Sequence, residues 1–365
     1  MKLDFALEYS LGHVTHAQNL MAALDGLTEY EPRYLSIPYD DTPLPVYWKT
    51  LKLVRENWSV RASLAARIGM RGWRGASAAL FHTQVTSLFS IDYMRRVPSI
   101  VSLDATPLQY DRLGAYYGHH VGTGISEQLK KRINQRAFSA ATQIVTWSEW
   151  AKGSLVEEYG VCADKVTVIP PGIDLKRWSF ERNPKAKGPV RALFVGGDFD
   201  RKGGPILLEA LKLARKQGAD IAVDIVTRTQ GVGANQEFVT VYNNVAPNSE
   251  QARVLFADAD MFVFPTLGDC LPLAILEALA AGLPVVTTAV GALSEAVADN
   301  VEGRVVAPGS AQELAGAMVE IAGDAALRKR MSEQARAKAS DCFNAERNYG
   351  RLIALMSTMA HEANK

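Results

Sequence analysis

Cysteine, net charge and long uncharged apolar runs are scarce in this sequence, and each scarcity excludes a class of protein. The three cysteines, Cys162, Cys270 and Cys342, are odd in number and far apart, so they predict free thiols in a reducing cytoplasm rather than disulfides or a zinc site. The formal net charge of +1 provides no overall attraction to nucleic acid. The longest apolar run is interrupted by Glu277, so we predict no helix that spans a membrane.

Targeting and low-complexity segments are also absent. The N-terminal residues MKLDFALEYSLGHVTH contain no apolar segment followed by a small-residue cleavage site, so no secretory signal is expected. Hydrophobic residues make up 48% and charged residues 22% of the 365, which is ordinary for a globular protein of two domains. We therefore expect a cytoplasmic protein that is at most peripheral on the inner face of a membrane.

Short runs rich in β-branched residues alternate with helical patterns almost from end to end. The first series contains the predicted strands KLDFALEY, ALFHT, SIVSLDAT, QIVTWS and KVTVIPPG, and the second contains RALFVGG, IAVDIVT, FVTVYNNV, MFVFPT, LPVVTT and GRVVAP. Alternation of strands and helices favours parallel sheets with crossover helices. The sequence thus predicts an α/β fold made of two Rossmann-like domains that face a cleft.

The expected domain boundaries follow the same pattern. We predict a first Rossmann-like domain over 1–172, a polar linker with prolines over 173–189, a second Rossmann-like domain over 190–342, and an amphipathic C-terminal helix over 343–365 that packs back on the first domain. The motif SAQE is a capping box and predicts a helix from Ala311. In open parallel sheets ligands bind beyond the carboxyl ends of the strands, so the loops at those ends are the candidate sites.

A glycine-rich turn with two cations follows the first strand of the second series. In LFVGGDFDRKGG, Gly196 and Gly197 let the backbone approach a ligand, and Arg201 and Lys202 suit phosphate oxygens. The turn is neither a Walker loop nor a GxGxxG fingerprint. A solvated loop is the alternative interpretation of this segment taken alone.

The segment GDCLPLAILEALAAGLPVV, residues 268–286, places two acids around an apolar run. We predict a helix whose first turn is residues 271–273, with Pro272 at the first helical position. The free N–H groups of that turn and the helix dipole would attract an anion. Glu277 could then accept hydrogen bonds from a ribose, and Asp269 would face the cleft. Alternatively, Glu277 caps the helix or pairs with a neighbouring basic residue.

These segments together resemble a known family. VGG…RKGG, the pair Asp269 and Glu277 with EALAAGLPVV, and KVTVIPPGID occur in the order and spacing of the retaining glycosyltransferases of the GT-B fold, family 4. The resemblance covers most of the chain and is strongest over 147–306. It implies transfer of a sugar from a nucleotide-sugar donor, bound by the second domain, to an acceptor on the side of the first.

The resemblance also implies roles for individual residues. Arg201 and Lys202 would stabilise the leaving diphosphate, Asp269 would face the sugar, and Glu277 would bind the ribose. Other members of the donor-binding set would contribute mainly backbone groups. The implied donor-binding set is Gly12, Gly196, Gly197, Arg201, Lys202, Asn244, Val245, Cys270, Leu271, Pro272, Leu273 and Glu277.

A weaker likeness extends to the first domain. LGHVTHAQNLMAAL resembles the glycine-containing loop and first helix that close over the donor, which implies a role for Gly12 and a catalytic role for His16. SIVSLDATP lies where relatives carry a histidine near the reacting sugar, which makes Asp104 a further catalytic candidate. The chain departs from the family pattern at three positions. Asp269 stands where relatives carry a glutamate, Gly197 stands where they commonly carry an arginine, and Asp104 stands where a histidine is common.

One acidic pair imitates a metal-binding motif. Asp258-Ala259-Asp260 has the DxD pattern of metal-dependent transferases, but LFADADMFVFP predicts a helix end that leads directly into a core strand. The resemblance implies that fixed cations and a helix dipole stabilise the leaving diphosphate instead. No metal or other cofactor is therefore expected.

A strongly basic stretch occupies residues 44–78, where Glu56 is the one acid and three tryptophans are interleaved. Such a pattern favours an anionic membrane surface, and with it a lipid or lipid-linked acceptor. A solvated helical face is the alternative, and soluble sugars and polysaccharides are alternative acceptors. No nucleic-acid-binding motif accompanies the cluster. The cations are Lys49, Lys52, Arg55, Arg61, Arg67, Arg71 and Arg74.

Two other functions remain open on the same architecture. A nucleotide-sugar epimerase would need acid and base groups in the cleft, and no such set is expected from the placement of His13, His16, His82, His119 and His120. A nucleotide-sugar-binding protein that has lost catalysis is the second alternative, because of the departures from the family pattern.

Overall fold

The computed structural model describes residues 1–10, 12–117, 122–180, 188–233 and 236–363. These residues divide into two compact units. The first unit takes its members from Met1–Arg112, His120–Gly172 and Ala345–Lys365, and the second from Leu113–His119 and Ile173–Asn344. Residues 181–187 of the predicted linker, and the candidates His119 and His120, lie outside the described residues.

Strands and helices alternate in the first half of the chain. In order they are β1 Lys2–Tyr9, α1 His13–Leu24, β2 Glu31–Pro38, α2 Val46–Lys49, α3 Lys52–Glu56, α4 Trp58–Gly69, β3 Ala78–His82, α5 Ile91–Met94, β4 Ser99–Leu103, α6 Pro107–Arg112, α7 Gly124–Ala140, β5 Gln143–Thr146, α8 Glu149–Glu157 and β6 Val166–Val168.

The second half repeats the alternation. It contains α9 Leu175–Trp178, β7 Val190–Val195, α10 Gly204–Lys216, β8 Ile221–Val226, β9 Val239–Tyr242, α11 Glu250–Asp258, β10 Met261–Phe264, α12 Leu273–Ala280, β11 Val285–Thr288, α13 Leu293–Ala296, β12 Gly303–Val306, α14 Ala311–Gly323, α15 Ala325–Phe343 and α16 Ala345–Ala363.

Each unit is built on a six-stranded parallel sheet, which confirms the predicted α/β fold of two Rossmann-like domains. The strand orders are β2-β1-β3-β4-β5-β6 and β12-β11-β10-β7-β8-β9. Every strand predicted from the sequence is present, but β2 was not predicted. This strand lies at the sheet edge and only Ile37 within it is buried, so its sequence lacks the continuous apolar run of the inner strands.

The first sheet is covered on both faces. Along β1, Leu3, Phe5 and Leu7 belong to one apolar core, whereas Ala6 belongs to the other, because successive side chains of a strand point to opposite faces. The helices α1 and α16 cover the face of Phe5, and α16 contributes the buried Tyr349. The C-terminal helix is therefore part of the first unit.

The capping box at residues 310–313 works as predicted at its first residue. Helix α14 begins at Ala311, and the Ser310 hydroxyl accepts a hydrogen bond from the Glu313 N–H at 3.2 Å. The Glu313 carboxylate accepts from the N–H of Ala307 rather than from that of Ser310, so the reciprocal bond reaches further back along the chain.

Candidate active site

The turn between β7 and α10 in the second unit depends on two glycines. Gly203 has a φ of 80°, and a Cβ atom there would lie 1.9 Å from the carbonyl oxygen of Pro265. A Cβ atom on Gly204 would lie 2.1 Å from the ring of Phe199. Because only glycine allows α10 to begin this close to the loop after β10, the RKGG sequence brings its two cations against that loop.

Both cations of the turn contact Asp269. Lys202 Nζ lies 2.6 Å and 2.8 Å from the two carboxylate oxygens of Asp269, and Arg201 Nη1 lies 3.3 Å from Oδ1. Arg201 Nη1 also donates to the carbonyl oxygen of Gly268 at 2.5 Å. Residues 67 positions apart in the chain therefore form one charged cluster, in which Arg201 and Asp269 are buried.

Thr266 holds this cluster to the end of β10. Its hydroxyl donates to Asp269 Oδ2 at 2.8 Å, and its carbonyl oxygen accepts from the hydroxyl of Thr288 at 2.7 Å. Gly291, with a φ of 58°, packs so closely that a Cβ atom there would lie 2.2 Å from the carbonyl oxygen of Asp269. The Asp269 carboxylate is thus positioned by the loops that follow two neighbouring strands.

Burial changes the charge balance of the cluster. Removal from water lowers the pKa of Lys202, an effect that the facing Asp269 carboxylate opposes and Arg201 reinforces. Arg201 also pairs with the exposed Asp198, whose Oδ2 atom lies 3.2 Å from Arg201 Nε, so of the two carboxylates that face the cations only Asp269 is buried. The remaining N–H donors of the two cations could bind a phosphate group. The structure brings together the three residues that the sequence grouped.

Glu277 is a buried carboxyl group on the second turn of α12. Only 9% of the residue is exposed, and burial raises its pKa to about 8. Within the described ranges its carboxyl oxygens have no hydrogen-bond or ion-pair partner. No basic residue of the described ranges pairs with Glu277, and the group is available to a ligand.

The helix that carries Glu277 begins later than predicted. Helix α12 starts at Leu273, and Pro272 precedes it with extended backbone, at φ −73° and ψ 129°. The prediction that Leu271 opens the first turn is wrong, because a proline disfavours helical conformation in the residue before it. Cys270, Leu271 and Leu273 are buried, so contacts from these residues to a ligand would come from their backbone.

The other donor candidates surround the same edge of the second sheet. Gly196 and Gly197 directly follow β7, and Asn244 and Val245 lie in the segment after β9. The strand order β10-β7-β8-β9 places these segments at the carboxyl ends of strands in one sheet. The structure therefore gathers the predicted donor residues of the second unit at a single edge.

In the first unit, α1 carries two histidines in different surroundings. His16 is 2% exposed, its Nδ1 atom lies 3.2 Å from the Tyr349 hydroxyl, and burial lowers its pKa to about 3. A neutral core residue does not fit the catalytic role predicted for His16. His13 opens the helix and is partly exposed, and Gly12 precedes it with open space where a Cβ atom would stand.

His13, His16 and His82 form a cluster with Trp147. His13 Nδ1 lies 3.1 Å from His82 Nε2, and the rings of His16 and His82 are 4.5 Å apart. His82 stacks on Trp147 at 5.4 Å, and burial lowers the pKa of His82 well below its usual value. The sequence did not predict this cluster, which forms because α1 follows β1 and β1 pairs with β3, which ends at His82.

Two carboxylates border this histidine cluster. Asp104 follows β4, its Oδ2 atom lies 3.9 Å from His13 Nε2, and burial raises its pKa, an effect that His13 opposes. Glu8, near the end of β1, accepts hydrogen bonds at 2.6 Å from the hydroxyls of Ser10 and Thr83. Asp104 therefore shares its surroundings with His13, whereas Glu8 is engaged in hydrogen bonds within the protein.

The basic stretch 44–78 turns its tryptophans inward. Trp48, Trp58 and Trp73 pack against the core of the first unit, so they do not form the membrane-facing row that the sequence suggested. Among the described helices, none is both long and apolar enough to cross a bilayer. Large apolar side chains are exposed instead on and between α2 and α3, at Val46 (78%), Tyr47 (65%), Leu51 (49%) and Leu53 (66%).

Arg61 differs from the other cations of this stretch. Its guanidinium stacks over Tyr39 at 4.8 Å and Trp58 at 5.3 Å and donates to the carbonyl oxygen of Arg55. The contacts of Arg61 are therefore with residues of the first unit, and its side chain is less accessible to a partner. The remaining predicted cations are exposed, namely Lys49, Lys52, Arg55, Arg67, Arg71 and Arg74.

The DxD sequence lies at the opposite end of β10 from the charged cluster. Helix α11 ends at Asp258 and β10 begins at Met261, so the pair precedes the strand. The carboxylate of Asp260 accepts from the backbone N–H of Arg191 at 2.9 Å, which joins β10 to β7. In the part of the chain that the structure describes, no three His, Cys, Asp or Glu side chains are arranged to hold a metal ion.

The position of His13 beside both His82 and Asp104 was not predicted, although a signal was available. His82 and Asp104 stand at the ends of the predicted strands ALFHT and SIVSLDAT, and His13 follows KLDFALEY. The carboxyl ends of parallel strands meet at one edge of a sheet. The same rule that grouped Arg201 with Asp269 would therefore have grouped these three.

Two models of protein families match the chain. Residues 12–177 match the model described as Glycosyltransferase Family 4, and residues 189–324 match the model described as Glycosyl transferases group 1. The first match falls mainly on the first unit and the second match on the second unit. Together they span most of the chain.

Individual relatives are similar over different lengths. A D-inositol 3-phosphate glycosyltransferase from Paenarthrobacter aurescens is 30% identical over 219 residues, which are 55% of this chain and 54% of that protein. The chain thus spans about half the length of the curated relatives it matches. A sucrose-phosphate synthase from Thermosynechococcus elongatus has a TM-score of 0.74 at 17% identity, over 98% of this chain and 99% of that one. The structure of HepE from Anabaena in complex with UDP has a TM-score of 0.69 at 17% identity. The match covers 98% of this chain and 100% of that one.

Proposed function

Because this chain belongs to family 4 of the glycosyltransferases and has their GT-B fold, we propose that it transfers a sugar from a nucleotide-sugar donor to an acceptor hydroxyl. The proposal extends to retention of the anomeric configuration and to independence from metal ions. The observation that carries it is the buried cluster of Arg201, Lys202 and Asp269 at the sheet edge. Glu277, a buried carboxyl group without a partner among the described residues, supports it.

The chemistry follows from the charges of the second unit. Departure of a nucleoside diphosphate builds negative charge on the leaving phosphate, and Arg201 and Lys202 are preorganised to stabilise that charge. The acceptor hydroxyl attacks the face from which the diphosphate leaves, and its proton passes to the leaving phosphate oxygen. Asp269, held by Thr266 and Lys202, faces the sugar, and Glu277 accepts hydrogen bonds from the ribose.

In the first unit we assign to His13 the role that the sequence suggested for His16. His13 is the partly exposed ring of the histidine cluster, and its two nitrogens face His82 and Asp104. The 3.1 Å contact of Nδ1 with His82 orients the His13 ring, and it leaves Nε2 3.9 Å from Asp104. His13 and Asp104 are therefore the groups of this unit that we expect to contact the reacting sugar or the acceptor hydroxyl.

A donor screen followed by product analysis tests this function. Thermal-shift measurements with UDP-, GDP- and ADP-sugars identify the donor, because a ligand that binds the native state raises Tm. Nuclear magnetic resonance of the anomeric proton then follows the reaction with candidate acceptors, with and without EDTA. Retention in the product supports the proposal. Isomerisation of the donor alone indicates an epimerase, stabilisation without turnover a binding protein, and an inverted anomer contradicts retention.

We also propose that the acceptor is a lipid or a lipid-linked sugar at an anionic membrane surface. The exposed apolar side chains Val46, Tyr47 and Leu53 stand beside the exposed cations Lys49 and Lys52. Apolar groups that enter the interface and cations that meet anionic headgroups reinforce each other, the latter at about 1 kcal/mol per basic residue. Lys49 lies 3.5 Å from Asp41 and Lys52 lies 4.0 Å from Glu56, so these acids offset part of the electrostatic attraction and the apolar side chains supply the rest of the binding.

Vesicle co-sedimentation distinguishes this docking surface from a merely solvated face. We expect binding to phosphatidylglycerol vesicles, weaker binding to phosphatidylcholine vesicles, and a loss of about tenfold or more when Val46→Asp and Leu53→Asp are combined. Val254→Asp, at an exposed apolar position of α11, is the matched control. Equal binding to both vesicle types, or none, would contradict the proposal without affecting the donor site.

A further inference from the structure

Arg228 lies where a side chain on Gly197 would begin. A Cβ atom on Gly197 would stand 2.9 Å from Arg228 Nε, 3.0 Å from Nη2 and 3.3 Å from Cζ. Gly196 likewise lies against Lys202, with 2.9 Å between its hypothetical Cβ atom and the lysine Cγ. The two glycines after β7 therefore make room for one cationic side chain each.

The backbone around Arg228 is held in place by its neighbours. Arg228 follows β8, and the side-chain amide of Asn243 donates to the carbonyl oxygens of Thr227 at 3.1 Å and Thr229 at 2.9 Å. The hydroxyl of Thr229 accepts from the N–H of Phe199, in the turn before α10, at 3.3 Å. Because hydrogen bonds hold both flanking residues, the backbone of Arg228 has a fixed position, although the Arg228 side chain is exposed.

The charge of Arg228 is not used within the described part of the protein. No hydrogen bond or ion pair reaches its guanidinium there, whereas Arg201 and Lys202 both contact Asp269. Arg201 and Lys202 thus retain only part of their charge for a ligand. A diphosphate carries several negative charges and is best met by planar guanidinium groups that donate two parallel hydrogen bonds.

We propose that Arg228 is a third cation of the donor site and binds a phosphate oxygen of the nucleotide sugar. The inference rests on the proposed function and extends it to a residue outside the predicted set. Gly197 serves this arrangement by leaving the space that the Arg228 guanidinium occupies, and Asn243 serves it as a positioning residue. Arg228 would contact the phosphate from beside Gly197, and Lys202 would contact it from beside Gly196.

Isothermal calorimetry with UDP, GDP and ADP tests the role of Arg228. With the nucleoside diphosphate that the wild type binds, we expect Arg228→Ala to raise Kd about tenfold, as for a lost charge-assisted hydrogen bond. Arg228→Lys should recover only part of the loss, because an ammonium cannot form the bidentate contact. Lys216→Ala, which removes one exposed positive charge from the far end of α10, is the matched control and should leave Kd unchanged.

A double-mutant cycle tests the geometric link to Gly197. Gly197→Ala places a methyl group where the guanidinium lies, so it should weaken binding in the wild type and have no further effect in Arg228→Ala. Unchanged Kd in Arg228→Ala, together with lost binding in Lys202→Ala, would overturn the role of Arg228 and leave the donor site intact. A wild type that binds none of the three diphosphates would overturn both.

Discussion

The two sheets of this protein end in edges of opposite character. Both sheets are six-stranded and parallel, and both carry polar residues beyond the carboxyl ends of their strands. At the first edge the rings of His13, His16 and His82 pack together, and burial keeps the inner two neutral. At the second edge Arg201 and Lys202 meet one buried carboxylate. The same topology thus supports a cluster of imidazoles bordered by two carboxyl groups in one unit and a cluster of cations and carboxylates in the other.

The difference shows where function is decided in such a fold. A parallel sheet determines only that loops and helix starts gather at one edge. The side chains at that edge decide whether it attracts an anion, because a buried imidazole loses its proton whereas a buried lysine beside a carboxylate retains a partner for its charge. On this basis we propose that the diphosphate binds at the second edge and that hydroxyl groups bind at the first.

The largest effect is expected from Lys202→Ala, which removes one of the two cations that distinguish the second sheet edge from the first. The rate of sugar transfer should fall by about 10²–10³, the usual cost of removing one group that stabilises a developing oxyanion. Arg201 continues to pair with Asp269, so the fold should survive. Steady-state rates and thermal unfolding check both expectations, with Lys212→Ala on the exposed face of α10 as control. Unimpaired transfer by folded Lys202→Ala would refute the site.

Glu277→Gln should separate stability from binding. The pKa of Glu277 is about 8 in the folded protein against 4.5 in a model peptide, so the folded state holds an extra proton between these values and stability falls as pH rises through them. Glutamine cannot ionise, so the variant should exceed the wild type by about 4 kcal/mol in free energy of unfolding at pH 9 and by little at pH 4.5.

Binding should change in the opposite direction in the same variant. The Kd for the nucleoside diphosphate at pH 9, where Glu277 is ionised, should rise about tenfold in Glu277→Gln, because an amide accepts hydrogen bonds from a ribose less strongly than a carboxylate. Urea unfolding at the two pH values and calorimetry measure the two effects. A stability difference that does not depend on pH would show that Glu277 titrates normally.

The two histidines of α1 allow a matched test at the first edge. His13→Gln should reduce transfer about tenfold with little change in stability, because its ring is partly exposed. His16→Gln should lower the free energy of unfolding by about 1–2 kcal/mol, since it disturbs a packed ring and its hydrogen bond to Tyr349. The folded fraction of His16→Gln should retain near-normal rates. A large loss of rate in folded His16→Gln, with a normal rate in His13→Gln, would instead support the catalytic role first predicted for His16.

The smallest effect is expected at the acidic pair that precedes β10. Asp258→Asn should alter the rate of transfer by less than about twofold, because this residue lies at the other end of the strand from the charged cluster. Excess EDTA should have an equally small effect on the wild type. Loss of activity with EDTA, restored by a divalent cation, would contradict the proposed independence from metal ions.

Local pattern accounts for the features that the sequence predicted well. The Ser310 cap, the start of α14 and the strands of the second sheet depend on residues close together in the chain, so propensity and periodicity suffice. Strand β2 was missed because its side chains are half exposed. The start of α12 was misplaced by two residues because Pro272 can stand either inside or before a first turn.

Contacts between distant residues account for what the sequence left open. His16 and Tyr349 are 333 positions apart, and the packing of α16 decides that His16 rather than His13 is buried. The sequence does not identify Arg228 as a candidate site residue, because no local pattern shows that the turn after β8 lies against Gly197.

The sequence by itself determined the alternation of strands and helices, the two parallel sheets and the cations that follow β7, because all of these depend on burial patterns and turn residues that are local. Only the tertiary structure decided which histidine faces outward, which carboxylate pairs with Lys202 and which one, Glu277, is left without a partner among the described residues. Those outcomes depend on strand order and helix packing, which bring together side chains that no local pattern relates.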